Sequence, residues 1–320
     1  MSILITGSTG FIGRALIEKL IKKKFSVFAS VRNSSVNKFS LDVNLISMGH
    51  LTSSLDWSHA LEGIDVVIHL AARTHILNDR SKDPMGDYRN INVDCSLNLA
   101  RQAARAGVKR FLYISSIKVN GEFTLPGQPF TTKDVPAPQD FYGVSKLEAE
   151  LGLQLMAKDF GMELVVIRPP LVYGPDVKAN FLLMMNWLQS GIPIPLGGVT
   201  KNRRSYVFLD NLVDIIVTCI SHPNAANKIF LVSDDEDLST AELIERLALA
   251  LGRPSRLISM PSNLIPFGAK LVGKSHLAQR LCGSLQVDIK ETKDLLSWVP
   301  PASVDEGLLK TVTYFLKNQS

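Results

Sequence analysis

The sequence predicts an α/β protein built on a doubly wound parallel sheet, followed by a smaller C-terminal domain. Three observations carry this. From residue 2 to about 170, short β-branched runs alternate with amphipathic stretches, the pattern of βαβ units. Three glycines, Gly7, Gly10 and Gly13, separate the first apolar run from the first amphipathic stretch. Beyond Arg168 the regularity breaks at Pro169, Pro170, Gly174, Pro175, Pro193, Pro195, Gly197 and Gly198.

Taken in order, the strand-like runs are Ile3–Thr6, Val27–Ser30, Leu45–Met48, Val66–Leu70, Phe111–Ser115 and Leu164–Arg168. Between them Phe11–Lys22, Tyr88–Ala106 and Phe141–Phe160 read as helices, with Gly107 and Gly161 placed as C-terminal stops. In the less regular half, Asn180–Gln189 reads as a helix, and Ser239/Glu242 and Ser303/Glu306 have the spacing of capping boxes. This divides the chain into residues 1–170 and a substrate-side domain, 171–320, from which the chain is free to cross back. A ligand site is expected at the carboxyl ends of the strands.

With 46% hydrophobic and 20% charged residues over 320 positions, the composition is that of a globular protein. The net charge of +5 is spread out, and its densest run, Lys22, Lys23 and Lys24, reads as the solvated end of a helix. No stripe of basic and aromatic residues suggests nucleic acid. Cys95, Cys219 and Cys282 lie too far apart for a disulfide framework or a CxxC half-site and read as small buried hydrophobes. No His/Cys/carboxylate cluster has metal-ligand spacing. No run reaches the roughly 18 to 20 apolar residues of a membrane span, and the N-terminus lacks the basic leader of a signal peptide. A cytoplasmic enzyme is expected.

Gly7, Gly10 and Gly13 in TGSTGFIG follow a strand and open a helix. This is the dinucleotide-binding turn of a Rossmann fold, where glycines allow a tight turn, close approach of phosphate and helix-to-strand packing. The helix N-terminus adds amide donors and a positive dipole end. NAD-selective folds place an acid near the end of the second strand. Here the segment is Phe28-Ala29-Ser30-Val31-Arg32-Asn33. Arg32 either meets a 2′-phosphate, which favours NADP(H) over NAD(H), or is simply exposed.

Tyr142 and Lys146 are four residues apart, on one face of a helix. A nearby ammonium lowers a phenol's pKa toward the operating pH, as proton transfer requires. Upstream, the strand ending in Ser115-Ser116 brings hydroxyls to the same sheet edge. Tyr142 is therefore the candidate proton donor, with Ser115-Ser116 holding a substrate carbonyl. His69 lies in an apolar strand and reads as a core or cofactor-edge residue.

Together these residues resemble the extended short-chain dehydrogenase/reductase family, of the epimerase/dehydratase type that acts on nucleotide sugars. The likeness runs through TGSTGFIG, HLAA at His69–Ala72, Asn92-Val93, the serine pair, YGVSK, RPPLVYGP at Arg168–Pro175 and RRSYVFLDNLVD at Arg203–Asp214. It implies that Ser116 is the catalytic hydroxyl, Tyr142 the acid/base and Lys146 the residue that binds nicotinamide ribose. It further implies cofactor contacts from Gly7, Thr9, Gly10, Phe11, Ile12, Gly13, Arg32, Leu70, Ala71, Ala72 and Asn92. Arg73 and His75 follow on the same loop and are candidates to touch cofactor or sugar. A nucleoside-diphosphate clamp is represented by Asn180 and Arg204; a second arginine common in epimerases is replaced by LCGSLQVD at Leu281–Asp288. His50 stands where the family often has an adenine-binding aspartate.

Dehydratases of this type carry an Asp-Glu pair after the catalytic hydroxyl; here those positions are Ile117 and Lys118, so elimination of water is discounted. Lys118 either reaches the substrate or faces solvent. Arg32, together with SSIKVNGE and LLMMNWLQSGIPIPLG, favours an enzyme that reduces a UDP-4-keto-6-deoxy-N-acetylhexosamine with NADP(H), for surface polysaccharide. The alternatives are a UDP-glucose or UDP-N-acetylglucosamine 4-epimerase with tightly bound NAD, and a non-enzymatic NADP(H) sensor. The helices Tyr88–Ala106 and Phe141–Phe160, with Leu97, Leu147, Leu151 and Leu155, suit a homodimer interface.

Overall fold

The computed structural model describes residues 1–33, 43–74, 81–125, 127–260 and 281–318. Short apolar runs form β1 (Ser2–Thr6), β2 (Ser26–Val31), β3 (Asn44–Ser47), β4 (Val66–His69), β5 (Arg110–Ile114) and β6 (Glu163–Arg168), each within a residue or two of its expected bounds. Two short strands, β7 (Leu171–Tyr173) and β8 (Arg204–Phe208), then leave this sheet, and β9 (Lys228–Leu231) returns to its edge. The seven strands lie in the order β3-β2-β1-β4-β5-β6-β9, all parallel. The strand order reverses between β1 and β4, where Thr6 lies opposite His69. A parallel sheet opens its ligand crevice at such a point.

The period of two along each strand decides what covers each face. Ile3, Ile5, Leu112 and Ile114 meet α1 (Phe11–Lys22) and α7 (Leu209–Ser221). Leu4, Phe111 and Tyr113 point the other way, into a layer containing α4 (Cys95–Arg105) and α5 (Phe141–Phe160). Gly152 permits the close approach of these last two helices, since a Cβ there would lie 2.8 Å from the Leu97 side chain. The remaining α-helices among the described residues are α2 (Ser58–Leu61), α3 (Pro84–Tyr88), α6 (Ala179–Ser190), α8 (Thr240–Ala250), α9 (Lys290–Leu296) and α10 (Val304–Lys317). A third apolar cluster joins α6, α8 and α10 to β7, β8 and the two-residue β10 (Asp237–Leu238).

Most local signals act as read. Both capping boxes form, Gly161 closes α5 in the left-handed conformation, and Lys22, Lys23 and Lys24 are exposed at the end of α1. Cys95 and Cys219 are buried and Cys282 partly so, all as thiols. The single helix expected over Tyr88–Ala106 needs correction. It begins earlier, where Asp83 caps Gly86 at 2.9 Å ahead of Pro84, and α3 and α4 are joined by a π-helical stretch, Arg89–Asp94. Asp-Pro is a start signal, whereas nothing local marks the π turn. Part of residues 171–320 crosses back, since β9 adds the seventh strand to the main sheet and α7 packs on its face. No helix among the described residues is long and apolar enough to cross a membrane.

α5 is bolted to β6 by a buried ion pair. Arg168 donates to Glu150 through Nε at 3.0 Å and Nη2 at 2.5 Å, with side-chain exposures of 3% and 1%. Its Nη1 donates to Asn120 Oδ1 at 2.9 Å, which ties the loop after β5 into the same junction. Arg168→Met strands a buried carboxylate, so it is expected to cost about 3–5 kcal/mol in urea unfolding. The double variant Glu150→Leu/Arg168→Met is expected to lose less than Arg168→Met alone. Equal losses would place the stabilisation in packing instead of charge.

Candidate active site

The glycine turn comes first because it fixes the crevice. Gly7 adopts φ +67, and a Cβ on it would lie 2.7 Å from the Ala71 amide nitrogen. A Cβ on Gly13 would lie 2.3 Å from the Gly7 carbonyl. The turn is thus folded against both the loop after β4 and the first turn of α1. Gly10 caps α1 without a side chain and no acid occupies the first turn, so neither the cap nor the first turn competes with an anion for the helix's amide end. Thr9 and Gly10 are exposed, and Phe11, Ile12, Leu70, Ala71 and Ala72 are half-buried around the same edge. This cradle fits the diphosphate of a dinucleotide. Ser8 Oγ donates to the Ser30 carbonyl at 2.6 Å, linking the turn to β2. Arg32 is exposed just past the carboxyl end of β2, and His50 is also exposed; His75 lies outside the described residues.

A buried chain of hydrogen bonds runs from this turn toward α5. Ser96 Oγ donates to the Asn92 carbonyl at 2.7 Å, so it accepts from His69 Nε2 at 2.8 Å. His69 therefore carries its proton on Nε2, and Nδ1 accepts from Thr6 Oγ1 at 2.6 Å. Burial holds His69 near pKa 3, with the Lys146 charge adding to the effect. The reading of His69 as a core residue stands. Asn92 accepts from the Arg73 amide at 2.7 Å, and its Nδ2 donates to the Arg73 carbonyl at 3.0 Å and to Ser145 Oγ at 2.9 Å. Ser145 in turn donates to the Tyr142 carbonyl at 2.8 Å.

Ser116, Tyr142 and Lys146 converge where β5 and α5 meet the sheet edge. Burial pushes Tyr142 up to about 12; a hydrogen bond with Ser116 opposes the shift, while Asp140 and Tyr88 add to it. The sequence led us to expect the Lys146 ammonium to lower this phenol. It does not do so in this arrangement, because Lys146 Nζ is turned to the Ile114 carbonyl at 2.7 Å and lies 4.1 Å from the centroid of the Tyr113 ring. Burial pushes Lys146 down to about 7, with Glu150 opposing. At neutral pH the phenol is a proton donor in the free protein.

Lys118 neither faces open solvent nor hangs free. Its amine is paired with Glu122 at 2.8 Å and with Asp140. Asp140 also caps α5, accepting from Gly143 at 2.7 Å, so the loop carrying Ser116 is pinned to the helix carrying Tyr142. Asn180 sits in the first turn of α6, whose N-cap position belongs to Lys178. Arg204 begins β8 and donates to the Gly283 carbonyl at 3.1 Å. The LCGSLQVD segment runs alongside, with Ser205 donating to the Leu285 carbonyl at 2.8 Å. Among the described residues no group of side chains could hold a metal ion.

Sequence reasoning missed Tyr113, Asp140, Ser145 and Ser96. Asp140 had a findable signal, an acid directly before a helix. The others are marked only by tertiary neighbours.

Residues 3–233 match the NAD dependent epimerase/dehydratase family. A protein of Vibrio cholerae named UDP-glucose 4-epimerase is 49% identical over 316 residues, which is 99% of this chain and 96% of the relative. Among solved structures, UDP-glucuronic acid 4-epimerase of Bacillus cereus in complex with NAD superimposes with a TM-score of 0.80 at 23% identity, covering 99% of this chain and 97% of that one. UDP-glucose 4-epimerase of Thermotoga maritima with UDP-glucose superimposes with a TM-score of 0.78 at 24% identity over the full length of both chains. At these identities the two structural likenesses speak to the fold.

The neutral state of His69 has a measurable consequence. Its folded pKa of about 3 lies below the 6.5 of the free side chain, so between those values the unfolded chain binds the extra proton. Stability is complete above about pH 6.5 and falls on acidification by up to roughly 1.4 kcal/mol per pH unit. Urea unfolding between about pH 7 and pH 5 is expected to lose roughly 2 kcal/mol more in the native protein than in His69→Gln. Parallel pH slopes would contradict the buried neutral histidine.

Proposed function

The chain belongs to the NAD-dependent epimerase/dehydratase family, and we propose that it is a UDP-hexose 4-epimerase working with a tightly held dinucleotide. It is an enzyme of the extended short-chain dehydrogenase/reductase type. The observation that carries epimerisation over reduction is the near full-length match, at 49% identity, to a relative named UDP-glucose 4-epimerase. The preference for a 4-keto reductase that the sequence suggested has less support.

In this reading Gly7, Thr9, Gly10, Phe11, Ile12 and Gly13 seat the diphosphate of the cofactor, and Leu70, Ala71 and Ala72 form the opposing wall. A bound oxidised nicotinamide would supply the hydride acceptor and a positive charge beside the phenol. Tyr142 moves the proton of the sugar's 4-hydroxyl, Ser116 hydrogen-bonds the same oxygen, and Lys146 orients the cofactor ribose. Asn92 holds the loop after β4 at a fixed distance from α5. Asn180 and Arg204 receive the nucleoside diphosphate. Lys118, paired with two carboxylates, positions the Ser116 loop instead of taking the substrate. Residues 1–170 serve the dinucleotide and 171–320 the sugar nucleotide, with α7 and β9 crossing back.

One feature supports the second reading, an NADP(H)-exchanging 4-keto reductase. The end of β2 carries no acid and presents the exposed Arg32. A non-enzymatic sensor fits poorly, since Tyr142 and Lys146 are both in place. For assembly we propose an isologous homodimer through α4 and α5, supported by Leu151 and Leu155, 52% and 67% exposed on α5. The cytoplasm is the proposed compartment.

The test is incubation of the purified protein with UDP-galactose and no added nucleotide, following UDP-glucose by chromatography. Conversion is expected. No conversion, together with consumption of NADPH by a UDP-4-keto-6-deoxyhexose, would replace the epimerase with the reductase. Tyr142→Phe is expected to lower turnover by about 100-fold or more without loss of bound cofactor. If it retains full activity, the proton-transfer role is wrong.

A further inference from the structure

Lys146 is 2% exposed, and a buried ammonium needs compensation. None comes from an ion pair among the described residues. Glu150, one turn further along α5, gives both oxygens to Arg168 at 2.5 to 3.2 Å. What lies against the amine is the Ile114 carbonyl, at 2.7 Å, and the face of the Tyr113 ring, 4.1 Å from Nζ to centroid. The ring is fully buried on β5 and stacks with His69 at 5.9 Å and 21°. It sits on a central strand of the sheet, so its place does not depend on the Lys146 side chain.

We propose that Tyr113 is a positioning residue whose ring face holds the Lys146 amine in its charged form and in its place over β5. An aromatic face attracts a cation through its quadrupole, most strongly where water is excluded. The other ionisable groups around Lys146 leave this task to the ring. His69 on β4 is held neutral by burial. The Tyr113 phenol is raised well above its ordinary value by burial and stays uncharged. Tyr142 is pushed up to about 12 by burial. Glu150 favours the charged lysine but is itself matched by Arg168 on β6. Burial, the largest influence, drives Lys146 toward the neutral amine, to about 7. An attraction specific to the ammonium thus acts on a group poised within the working pH range.

The part of this inference that concerns catalysis rests on the proposed reaction; the part that concerns Lys146 does not. The test is therefore a titration of the unliganded protein. The isotope-labelled lysine Cε signal that disappears in Lys146→Arg is followed against pH in the native protein, Tyr113→Phe and Tyr113→Leu. Tyr113→Phe keeps the ring face and is expected to titrate with the native protein. Tyr113→Leu removes it and is expected to lower the lysine's pKa by about one unit. If Tyr113→Leu does not fold, phenylalanines carrying successively more ring fluorines at position 113 take its place. They drain the ring's negative face with little change of shape, and the pKa is expected to fall stepwise along the series. An unchanged pKa in Tyr113→Leu or along the fluorinated series overturns the proposal, as does a drop in Tyr113→Phe equal to that in Tyr113→Leu. If sugar turnover is measurable, its alkaline limb should shift with the same variants. Absence of turnover in the native protein would count against the reaction alone.

Discussion

Asn92 is the joint on which the site depends. It is fully buried, and a buried amide left unpaired costs about 1–3 kcal/mol for each lost partner. Its three hydrogen bonds go to the Arg73 amide, the Arg73 carbonyl and Ser145. The first two fix the loop after β4, which the Gly7 turn presses against; the third fixes the helix that carries Tyr142 and Lys146. The backbone carbonyl of Asn92 receives Ser96, which orients His69 and, through it, Thr6 at the end of β1. One polar chain thus spans the switch point of the sheet from the end of β1, at the glycine turn, to α5. Being buried, it has few alternative ways to satisfy itself, and this makes the geometry specific.

The same burial sets the electrostatics. Water is kept from His69 and Lys146 and partly from Tyr142, and each is moved toward its neutral form. The phenol therefore starts as an acid in the free protein, and Lys146 sits close to the boundary between charged and uncharged. A cationic cofactor ring bound beside such a site would have a large effect, because burial weakens screening by water. The charges that remain are assigned to structure. Arg168 and Glu150 neutralise each other between α5 and β6, and Lys118 is shared by Glu122 and Asp140.

What could be read in the sequence was what is encoded locally. The glycine turn, the apolar runs of β1 to β6, the bounds of α5 and the two capping boxes each follow from residues within a turn or two. Tyr142 and Lys146 were legible because four residues on a helix define a face. The seventh strand was missed because Lys228–Leu231 is four residues long and lies in an irregular stretch. The pairing of Glu150 with Arg168 spans 18 residues and that of Lys118 with Asp140 spans 22, distances over which no periodicity carries information. Lys146 was read as acting on Tyr142, but in the structure it faces Ile114 and Tyr113, on a strand more than thirty residues earlier. The leaning toward a reductase rests on Arg32 and two local segments, SSIKVNGE and LLMMNWLQSGIPIPLG, which are a thinner basis than a match over the whole chain.

The central claim is that Asn92 couples the loop after β4 to α5. Backbone hydrogen exchange of Asn92→Ala, compared with the native protein in the absence of ligand, tests it most directly. The account predicts that amides at residues 71–74 and at 142–146 lose protection together, while the interior of β1 stays protected. Unchanged protection in either segment would contradict it.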